Sequence, residues 1–366
     1  MLFVTAYPPH MASMGGGGWI DRRLISALER LNYSVDVFPV MPEPRSSRRD
    51  SIRAEVRTDL PLLFKCSMRM AWVHEPYVAS KFRMFSGWKK RVSELQTAAR
   101  GHLVVASQWP SLLLALDAAL PVRLGIAHNV EWLISERYAP RVLRWLRDTQ
   151  RQRLLEIEVL TGCRDVLSLS HADSDLLNRY GISVQSVDWG RMRTQRSHGG
   201  GSLGFVGKSS WPPNRELLSL LVSEFLPELR RRHPAVDPIL VVAGEDSQQL
   251  HVPDVMVLGA IDDIGDFYRL VSVVAVPRGE RNTGVSVKLL EAHEYGLACI
   301  ADPATAKAMG NPEWLDVASD SDEMLRLIGD NIGQHDTEGD PHVLSRNQDA
   351  TIDTFSSALQ GILSGQ

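Results

Sequence analysis

Cysteine is scarce in this sequence, and long apolar runs are missing. The chain of 366 residues has three cysteines, Cys66, Cys163 and Cys299, which stand far apart and without the spacing of metal ligands. This pattern excludes a disulfide framework and a short-motif zinc site, and we expect three small buried thiols. No segment reaches the roughly 18 to 20 uninterrupted apolar residues of a membrane span, and "MLFVTAYPPH" lacks a secretory signal pattern. We therefore expect a cytoplasmic protein.

Charge is distributed unevenly between the two halves of the chain. Residues 1–200 carry 28 basic and 19 acidic side chains, a formal charge of +9, whereas residues 201–366 carry −13. A basic half favours anionic partners such as lipid headgroups, nucleic acid or phosphorylated substrates. The basic and aromatic residues are not arranged as in a module that reads RNA or DNA, so we expect no nucleic acid partner.

Short aliphatic runs alternate with amphipathic stretches along most of the chain. This alternation predicts an α/β fold in which parallel sheets are covered by helices. The polar, glycine-rich stretch "RMRTQRSHGGGS" at 191–202 interrupts the pattern and predicts a linker. We therefore predict two doubly wound, Rossmann-like domains at 1–195 and 196–340. A last helix at 341–366 either stays with the second domain or crosses back to the first.

Four consecutive glycines, Gly15 to Gly18, follow the first predicted strand, and the next helix is predicted to begin at Trp19. Such a run lets the backbone approach a phosphate, so Gly16, Gly17 and Gly18 are candidate donor-binding residues. A merely flexible connector is the alternative. The spacing G-x-G-x-x-G fits neither possible register, so we expect no NAD or FAD.

The stretch "TGVSVKLLEAHEYGLACIAD" at 283–302 has the pattern of an anion site. A helix is predicted to follow Gly284, and its first turn would leave the backbone N–H groups of Val285, Ser286 and Val287 unpaired. These groups are candidates for holding a negatively charged ligand.

Two charged side chains follow on this helix, and a third lies elsewhere in the second half. Lys288 and Glu291 share the helix face of Gly284, although an ordinary i, i+3 surface pair is the alternative. Lys208 directly follows the predicted strand "LGFVG", where a lysine at the carboxyl end of a strand is suited to pairing with a diphosphate. A solvated lysine is the alternative there.

Several segments together resemble the retaining sugar-nucleotide glycosyltransferases of the group 1, or family 4, class. The similarity includes the glycine run and the segments "AHNVEWLISERY", "GFVGKSSWPPNRELL", "VVAGE" and "GVSVKLLEAHEYGLACIAD", in that order and over most of the chain. The resemblance implies a GT-B fold with two Rossmann-like domains facing across a cleft. It also implies transfer from a UDP- or GDP-sugar to a saccharide or lipid-linked saccharide, with retention and without a metal or other cofactor. Such a reaction belongs to polysaccharide or glycoconjugate biosynthesis.

The resemblance assigns roles to individual positions. Glu291 matches the second Glu of the family's Glu-x7-Glu motif, which holds the ribose of the donor. Thr283 stands where the first Glu contacts the donor sugar, as in the subset of the class with Gly-x-x-x-Lys, here Gly284 to Lys288. The lysine then serves the diphosphate, and Glu280 is an alternative carboxylate.

Two further positions follow from the same resemblance. Lys208 falls near a phosphate-binding basic residue of the family, although the usual preceding Arg is missing. His128 in "GIAHN" matches a first-domain histidine near the sugar and phosphate of the donor; a histidine of the core is the alternative.

Two other interpretations stay open at this stage. Because Thr283 replaces a Glu that contacts the donor, a sugar-nucleotide epimerase or a catalytically silent binding subunit would also fit the fold. The stretch "KFRMFSGWKKR" at 81–91 mixes aromatic and basic residues in a manner suited to an anionic membrane surface. An amphipathic helix inside the domain explains that stretch nearly as well.

Overall fold

The computed structural model describes residues 1–9, 15–41, 66, 68–70, 72–84, 87–192, 201–234, 240–250, 252–277, 283–332 and 343–364. The chain divides into two compact units. Unit 1 comprises Met1–Met11, Leu28–Val187 and Ile362–Gln366, and unit 2 comprises Ala12–Ala27 and Asp188–Gly361. Most of the predicted linker, residues 193–200, lies outside the described residues.

Unit 1 is built on a six-stranded parallel sheet with the order β2-β1-β3-β4-β5-β6. Its strands are β1 Leu2–Thr5, β2 Asp36–Pro39, β3 Val104–Ser107, β4 Val122–Ala127, β5 Cys163–Ser168 and β6 Val184–Ser186. The central strands are buried along their whole length because helices cover both faces, which is why they consist of uninterrupted aliphatic runs.

The helices between Tyr77 and Arg179 belong to unit 1. They are α2 Tyr77–Arg83, α3 Trp88–Ala98, α4 Trp109–Asp117, α5 Glu131–Tyr138, α6 Arg141–Trp145, α7 Asp148–Thr161 and α8 His171–Arg179. The apolar faces of α3 and α4 pack with strands β1, β3 and β4 in one hydrophobic core, which includes Leu95, Leu113 and Val104.

Unit 2 repeats this architecture with the sheet order β12-β11-β10-β7-β8-β9. Its strands are β7 Ser202–Val206, β8 Leu240–Ala243, β9 Val255–Gly259, β10 Val271–Val276, β11 Ala298–Ala301 and β12 Asp316–Val317. Counted along the chain, this is the doubly wound order 3-2-1-4-5-6, as the predicted α/β fold requires.

The helices of unit 2 include one from the start of the chain. They are α1 Gly15–Arg30, whose residues through Ala27 belong to this unit, α9 Pro212–Leu220, α10 Leu226–Arg232, α11 Ile264–Tyr268, α12 Val287–Glu294, α13 Pro303–Ala308, α14 Ser321–Asn331 and α15 Val343–Leu363, which ends in unit 1. A single turn of π-helix at Leu221–Phe225 joins α9 to α10, just before Pro227, which cannot donate a backbone hydrogen bond.

The start of α1 differs from the sequence prediction. The helix begins at Gly15 and not at Trp19, so the glycine run is its first turn and not a loop before it. Gly15 has φ of +60°, a left-handed conformation that favours glycine. None of the helices in the described ranges is long and apolar enough to cross a bilayer.

Candidate functional site

The order of the strands in unit 2 identifies the edge where a ligand is expected. The chain goes to one side of the sheet after β7 and to the other side after β10, and these two strands are neighbours. Doubly wound sheets bind ligands at such a switch point, outside the carboxyl ends of the strands. Lys208 follows β7, and the turn that contains Gly284 precedes α12 after β10. Both predicted segments therefore lie at the same edge.

The first turn of α12 has unsatisfied donors, as the sequence predicted. Gly284 has φ of +73°, and the chain then turns through Ser286, the N-cap residue, into the helix. The backbone N–H groups of Val285, Ser286 and Val287 have no hydrogen-bond partner within the described part of the chain. The hydroxyl of Ser286 is also unpartnered there, although the residue is 1% exposed. A helix start with this many free donors is suited to an anionic ligand.

The glycine run contacts this same turn. A Cβ atom added to Gly16 would lie 2.9 Å from the Cβ of Val287, closer than two such atoms approach in proteins. Glycine at position 16 therefore allows the first turns of α1 and α12 to touch. Gly17 and Gly18 belong to that turn of α1, so the predicted glycine site and the predicted helix site are adjacent.

An ion pair further along holds α1 and α12 together. Both guanidinium donors of Arg23, Nε and Nη2, bond to the carboxylate of Glu294, with Nε 3.1 Å from Oε2. The carboxylate is buried, and a bidentate arginine compensates for the cost of removing that charge from water.

Lys288 and Lys208 are connected by an asparagine that the sequence analysis did not assign to the site. Nζ of Lys288 donates to Oδ1 of Asn214 over 2.7 Å, and Nδ2 of Asn214 donates to the carbonyl oxygen of Lys208 over 3.0 Å. Gly207 leaves the space for this amide, since an added Cβ would lie 2.7 Å from Nδ2 of Asn214. Asn214 is buried, so these bonds fix the ammonium group of Lys288 beside the end of β7.

The side chain of Lys208 is more exposed than that of Lys288. Its Nζ lies 3.9 Å from Oε2 of Glu245, which follows β8, and this is a long, water-accessible ion pair. An incoming anion can compete with such a pair, so the structure is compatible with the predicted phosphate role of Lys208.

Glu291 lies one turn beyond Lys288 and is held by a buried tyrosine. The hydroxyl of Tyr268 donates to Oε2 of Glu291 over 3.0 Å, and the ring of Tyr268 stacks on that of Tyr295 with centroids 4.3 Å apart. Burial raises the pKa of Glu291 to about 7, although the bond from Tyr268 acts in the opposite direction. A carboxylate with this pKa ionises readily near neutral pH, where it can accept hydrogen bonds from a pair of hydroxyls.

Thr283 immediately precedes Gly284 and is partly buried. Glu280, the alternative carboxylate, lies outside the described residues. Thr283 and Glu280 therefore both stay candidates for the contact with the donor sugar.

His128 belongs to unit 1, at the carboxyl end of β4. Its Nε2 lies 2.9 Å from the hydroxyl oxygen of Ser107, which ends the neighbouring strand β3. This bond orients the ring at the carboxyl edge of the sheet of unit 1. The side chain is only partly buried, so His128 is not a residue of the closed core.

The stretch 81–91 is largely integrated into unit 1. Trp88 is buried, and its Nε1 donates to Asp117 over 2.7 Å, while the ring of Phe82 packs against it with centroids 6.0 Å apart. Arg83 pairs with both Glu75 and Asp117. Of the aromatic side chains that the membrane interpretation requires, Phe82 and Trp88 therefore pack with the core of unit 1.

The remaining basic residues of this stretch also differ in exposure. Arg91 donates to the carbonyl oxygen of Val40 over 3.1 Å and lies over the ring of Phe38. Lys89 and Lys90 are exposed, and Phe85 lies outside the described residues. The amphipathic helix inside a domain, the alternative stated above, is the arrangement that the structure has for Phe82, Arg83, Trp88 and Arg91.

Two site residues were missed by sequence reasoning. Asn214 was given no role in the site from the sequence; Pro212 and Pro213 occupy the first positions of α9, and Trp211 is the N-cap. That pair of prolines was the available signal that the amide of Asn214 is free for another role. Tyr268 gave no signal, because its place in an apolar pattern indicates only burial. Within the described ranges, no group of three or more His, Cys, Asp and Glu side chains has the geometry of a metal site.

Comparisons with known proteins identify a related family and several structures with a similar fold. Residues 200–330 match the family described as "Glycosyl transferases group 1". No curated protein sequence matches the chain. Among solved structures, sucrose-phosphate synthase from Thermosynechococcus elongatus is 14% identical, with a TM-score of 0.60 over 99% of this chain and 95% of that one. HepE of Anabaena, solved with UDP and glucose, is 15% identical, with a TM-score of 0.53 over 100% and 99% of the two chains.

These comparisons confirm two of the sequence interpretations. The fold is of the GT-B type, with two parallel six-stranded sheets and flanking helices. The resemblance to the group 1 glycosyltransferases is confirmed by the family match, which includes Lys208, Asn214, Tyr268 and the whole of α12.

Proposed function

We propose that this chain, which has the GT-B fold and a group 1 glycosyltransferase domain at residues 200–330, transfers a sugar from a UDP- or GDP-sugar to a saccharide or lipid-linked saccharide. The transfer proceeds with retention of the anomeric configuration and needs no metal. The acceptor binds in unit 1, and the product belongs to polysaccharide or glycoconjugate biosynthesis.

The observation that carries the proposal is the first turn of α12. Three free backbone N–H groups, those of Val285, Ser286 and Val287, and the hydroxyl of Ser286 directly precede Lys288 in the first turn of this helix. The diphosphate of a nucleotide sugar would satisfy these donors, and the touching first turn of α1 adds the partial positive charge of a second helix.

The proposed chemistry follows from where charge develops. The bond between the anomeric carbon and the donor's phosphate oxygen breaks, and the diphosphate leaves with additional negative charge. We propose that Lys288, which Asn214 already positions, and Lys208, whose ion pair with Glu245 is weak, stabilise that charge. Such preorganised electrostatic stabilisation is the main catalytic contribution we propose.

Glu291 is proposed to bind the two ribose hydroxyls of the donor. Tyr268 occupies Oε2, and within the described residues it is the one hydrogen-bond partner of this carboxylate. The stacked pair of Tyr268 and Tyr295 keeps the carboxylate in place before the donor arrives. HepE, a fold neighbour solved in complex with UDP-glucose, supports a nucleotide-sugar donor.

His128 is proposed to contact the sugar or the leaving phosphate. Its bond to Ser107 fixes the ring, and either ring nitrogen of a histidine can donate or accept near neutral pH. We expect His128→Ala to lower kcat more than it raises KM for the donor, since the proposed contact strengthens as the phosphate leaves.

The first experiment is a panel of nucleotide sugars. Thermal stabilisation by a UDP- or GDP-sugar, together with slow release of the nucleoside diphosphate, would support a transferase. Interconversion of the sugars would instead identify an epimerase. Binding without turnover would identify a silent binding subunit, which the presence of Thr283 in place of the family's glutamate also allows. NMR coupling constants of the transferred sugar would establish retention or inversion.

Two substitutions test the site directly. We expect Lys288→Ala and Glu291→Ala each to lower kcat/KM for the donor. The expected decrease corresponds to about 1.5 to 3 kcal/mol of activation free energy, which is the loss of a charged hydrogen bond. Lys307→Ala and Glu313→Ala, which alter exposed residues of unit 2, serve as controls for the change in charge. Unchanged donor kinetics in both test variants would remove the central claim.

A further inference from the structure

Two tryptophans of unit 1 are almost fully exposed to solvent. Trp72 is 78% exposed and Trp145 is 81% exposed, whereas Trp88, Trp109 and Trp132 of the same unit are buried. Contiguous exposed apolar patches, unlike single exposed side chains, mark interaction surfaces.

Both tryptophans are fixed near the start of α7. Arg151, in the first turns of this helix, donates to the carbonyl oxygen of Met70 over 2.7 Å, two residues before Trp72. The carboxylate of Asp148, at the first position of α7, accepts from the backbone N–H of Tyr77 over 2.7 Å, and Trp145 lies one turn before Asp148. The two segments are thus attached to the same end of one helix.

The outer side of α6 adds further apolar and basic residues. Arg141, Val142, Arg144 and Trp145 are exposed, whereas Leu143 and Leu146 are partly buried on the inner side. Arg147, which follows α6, is also exposed. Within the described ranges, Arg141, Arg144 and Arg147 make no ion pair. The exposed tryptophan of α6 thus lies among basic side chains that have no acidic partner in the described part of the chain.

We propose that Trp72, Val73, Val142, Trp145 and the three arginines Arg141, Arg144 and Arg147 form a docking surface for an anionic lipid bilayer, here named the tryptophan–arginine surface. Tryptophan partitions to the level of lipid headgroups, where its ring is apolar and its N–H stays hydrated. The arginines match the negative charge of the headgroups, and they lie in the half of the chain with a net charge of +9. Charge complementarity thus favours a lipid surface over an uncharged protein partner.

This surface replaces the stretch 81–91 as the lipid-facing region. Trp88 and Phe82 cannot enter a bilayer without leaving the core of unit 1, whereas Trp72 and Trp145 are available as they stand. The inference does not rest on the proposed function, because it concerns unit 1 alone and needs no sugar donor.

The test measures binding of the full-length chain to vesicles of phosphatidylcholine, with and without phosphatidylglycerol. We expect binding only to the anionic vesicles, with a loss as the salt concentration rises. Arg141→Gln/Arg144→Gln/Arg147→Gln should weaken binding on the order of 100-fold, given about fivefold for each basic residue near the surface. Trp72→Ala/Trp145→Ala should abolish quenching of tryptophan fluorescence by brominated lipid.

Matched controls separate this surface from general charge and from the earlier interpretation. Arg231→Gln/Arg269→Gln/Arg326→Gln removes three exposed arginines from unit 2 and should leave vesicle binding unchanged. Lys89→Gln/Lys90→Gln tests the stretch 81–91, and circular dichroism verifies the folding of every variant.

Three outcomes would overturn the proposal. The first is no binding to anionic vesicles. The second is binding that depends on Lys89 and Lys90 and not on the tryptophan–arginine surface. The third is that the chain does not bind lipid but self-associates, and that Trp72→Ala/Trp145→Ala abolishes this self-association. That result would assign the surface to a second copy of the chain. If the unaltered chain bound anionic vesicles but transferred no sugar in the nucleotide-sugar panel, the proposed function would be contradicted and this inference would stand.

Discussion

Each unit starts a helix beyond the carboxyl end of a central strand, but the two helix starts are occupied differently. In unit 1, Glu156 of α7 accepts from the backbone N–H groups of Glu131 and Trp132, over 3.0 and 3.1 Å, at the start of α5. In unit 2, the backbone N–H groups of Val285, Ser286 and Val287 at the start of α12 have no partner within the described residues. One helix start is closed by the protein's own carboxyl group, and the other has free donors, which we propose an external anion satisfies.

The difference also has an electrostatic side. Glu131, Glu156 and Asp173 lie together in unit 1, and burial raises the pKa of Glu156 well above its usual value and that of Glu131 to about 7. The start of α12 has Lys288 and a touching helix start as its neighbours instead. The comparison shows that similar architecture gives a structural capping site in one unit and a candidate binding site in the other.

The largest effect is expected from copying the arrangement of unit 1 into unit 2. Ser286→Asp would place a carboxylate at the N-cap of α12, where it would bond to the first-turn N–H groups and repel a diphosphate. We expect KM for the nucleotide sugar to rise on the order of 100-fold, since like charges in contact cost several kcal/mol. Ser286→Asn, which caps without charge, is the control, and an equal loss in both variants would contradict the charge argument.

The next effect concerns stability and lies in unit 1. Glu156→Ala would leave the N–H groups of Glu131 and Trp132 without an acceptor, and it should lower the free energy of unfolding by about 1 to 3 kcal/mol. Urea denaturation measures this, with Glu158→Ala on the exposed side of the same helix as the control. Donor binding should not change. A large rise in donor KM would show that the two helix starts do not have separate roles.

A smaller effect is expected from pH. The ionised carboxylate of Glu291 is the form that accepts from both ribose hydroxyls, so 1/KM for the donor should rise as pH increases through about 7 and then level off. The folded chain keeps a proton on Glu291 that the unfolded chain loses near its usual pKa of about 4.3. The stability contributed by this proton is therefore complete below that pH and is lost as pH rises through 7. Glu291→Gln should remove this component from both profiles, and an unaltered KM profile would argue against the ribose role.

The smallest effect is expected from the asparagine that positions Lys288. Asn214→Ala removes one neutral amide between the two lysines. We therefore expect kcat/KM for the donor to fall roughly fivefold, which corresponds to about 1 kcal/mol of activation free energy. Steady-state kinetics would measure this fall. Asn214→Ala combined with Lys288→Ala should be no worse than Lys288→Ala alone, because the amide acts through the ammonium group. Fully additive losses would contradict that positioning role.

The sequence was sufficient for elements whose signal is local. β10 is an uninterrupted buried run, and the first turn of α12 follows from Gly284 and the helical spacing after it. β6 and β12 give only a weak signal in the sequence, because they are short, lie at sheet edges and are partly exposed. Apolar periodicity is weak where a strand buries only one face over two or three residues.

The parts of the site that were missed depend on contacts between distant segments. Asn214 meets Lys288 across 74 positions, and Tyr268 meets Glu291 across 23. Neither contact leaves a pattern in one sequence, since the folding of unit 2 brings the two residues of each pair together. The predicted start of α1 was wrong for a similar reason. The turn of α1 that contains the glycines contacts Val287 of α12, and helix propensity alone does not predict such a turn.

The place of α1 in unit 2 also has a consequence for how the chain folds. Arg23 and Glu294 are 271 positions apart, so unit 2 cannot complete its buried ion pair until almost all of the chain has been synthesised. Contacts of such separation close slowly and expose apolar surface in the meantime. A fragment that begins at Asp188 would lack α1 and leave Glu294 buried without its arginine. We expect such a fragment to aggregate on expression, and co-expression of residues 1–187 to recover part of it in soluble form.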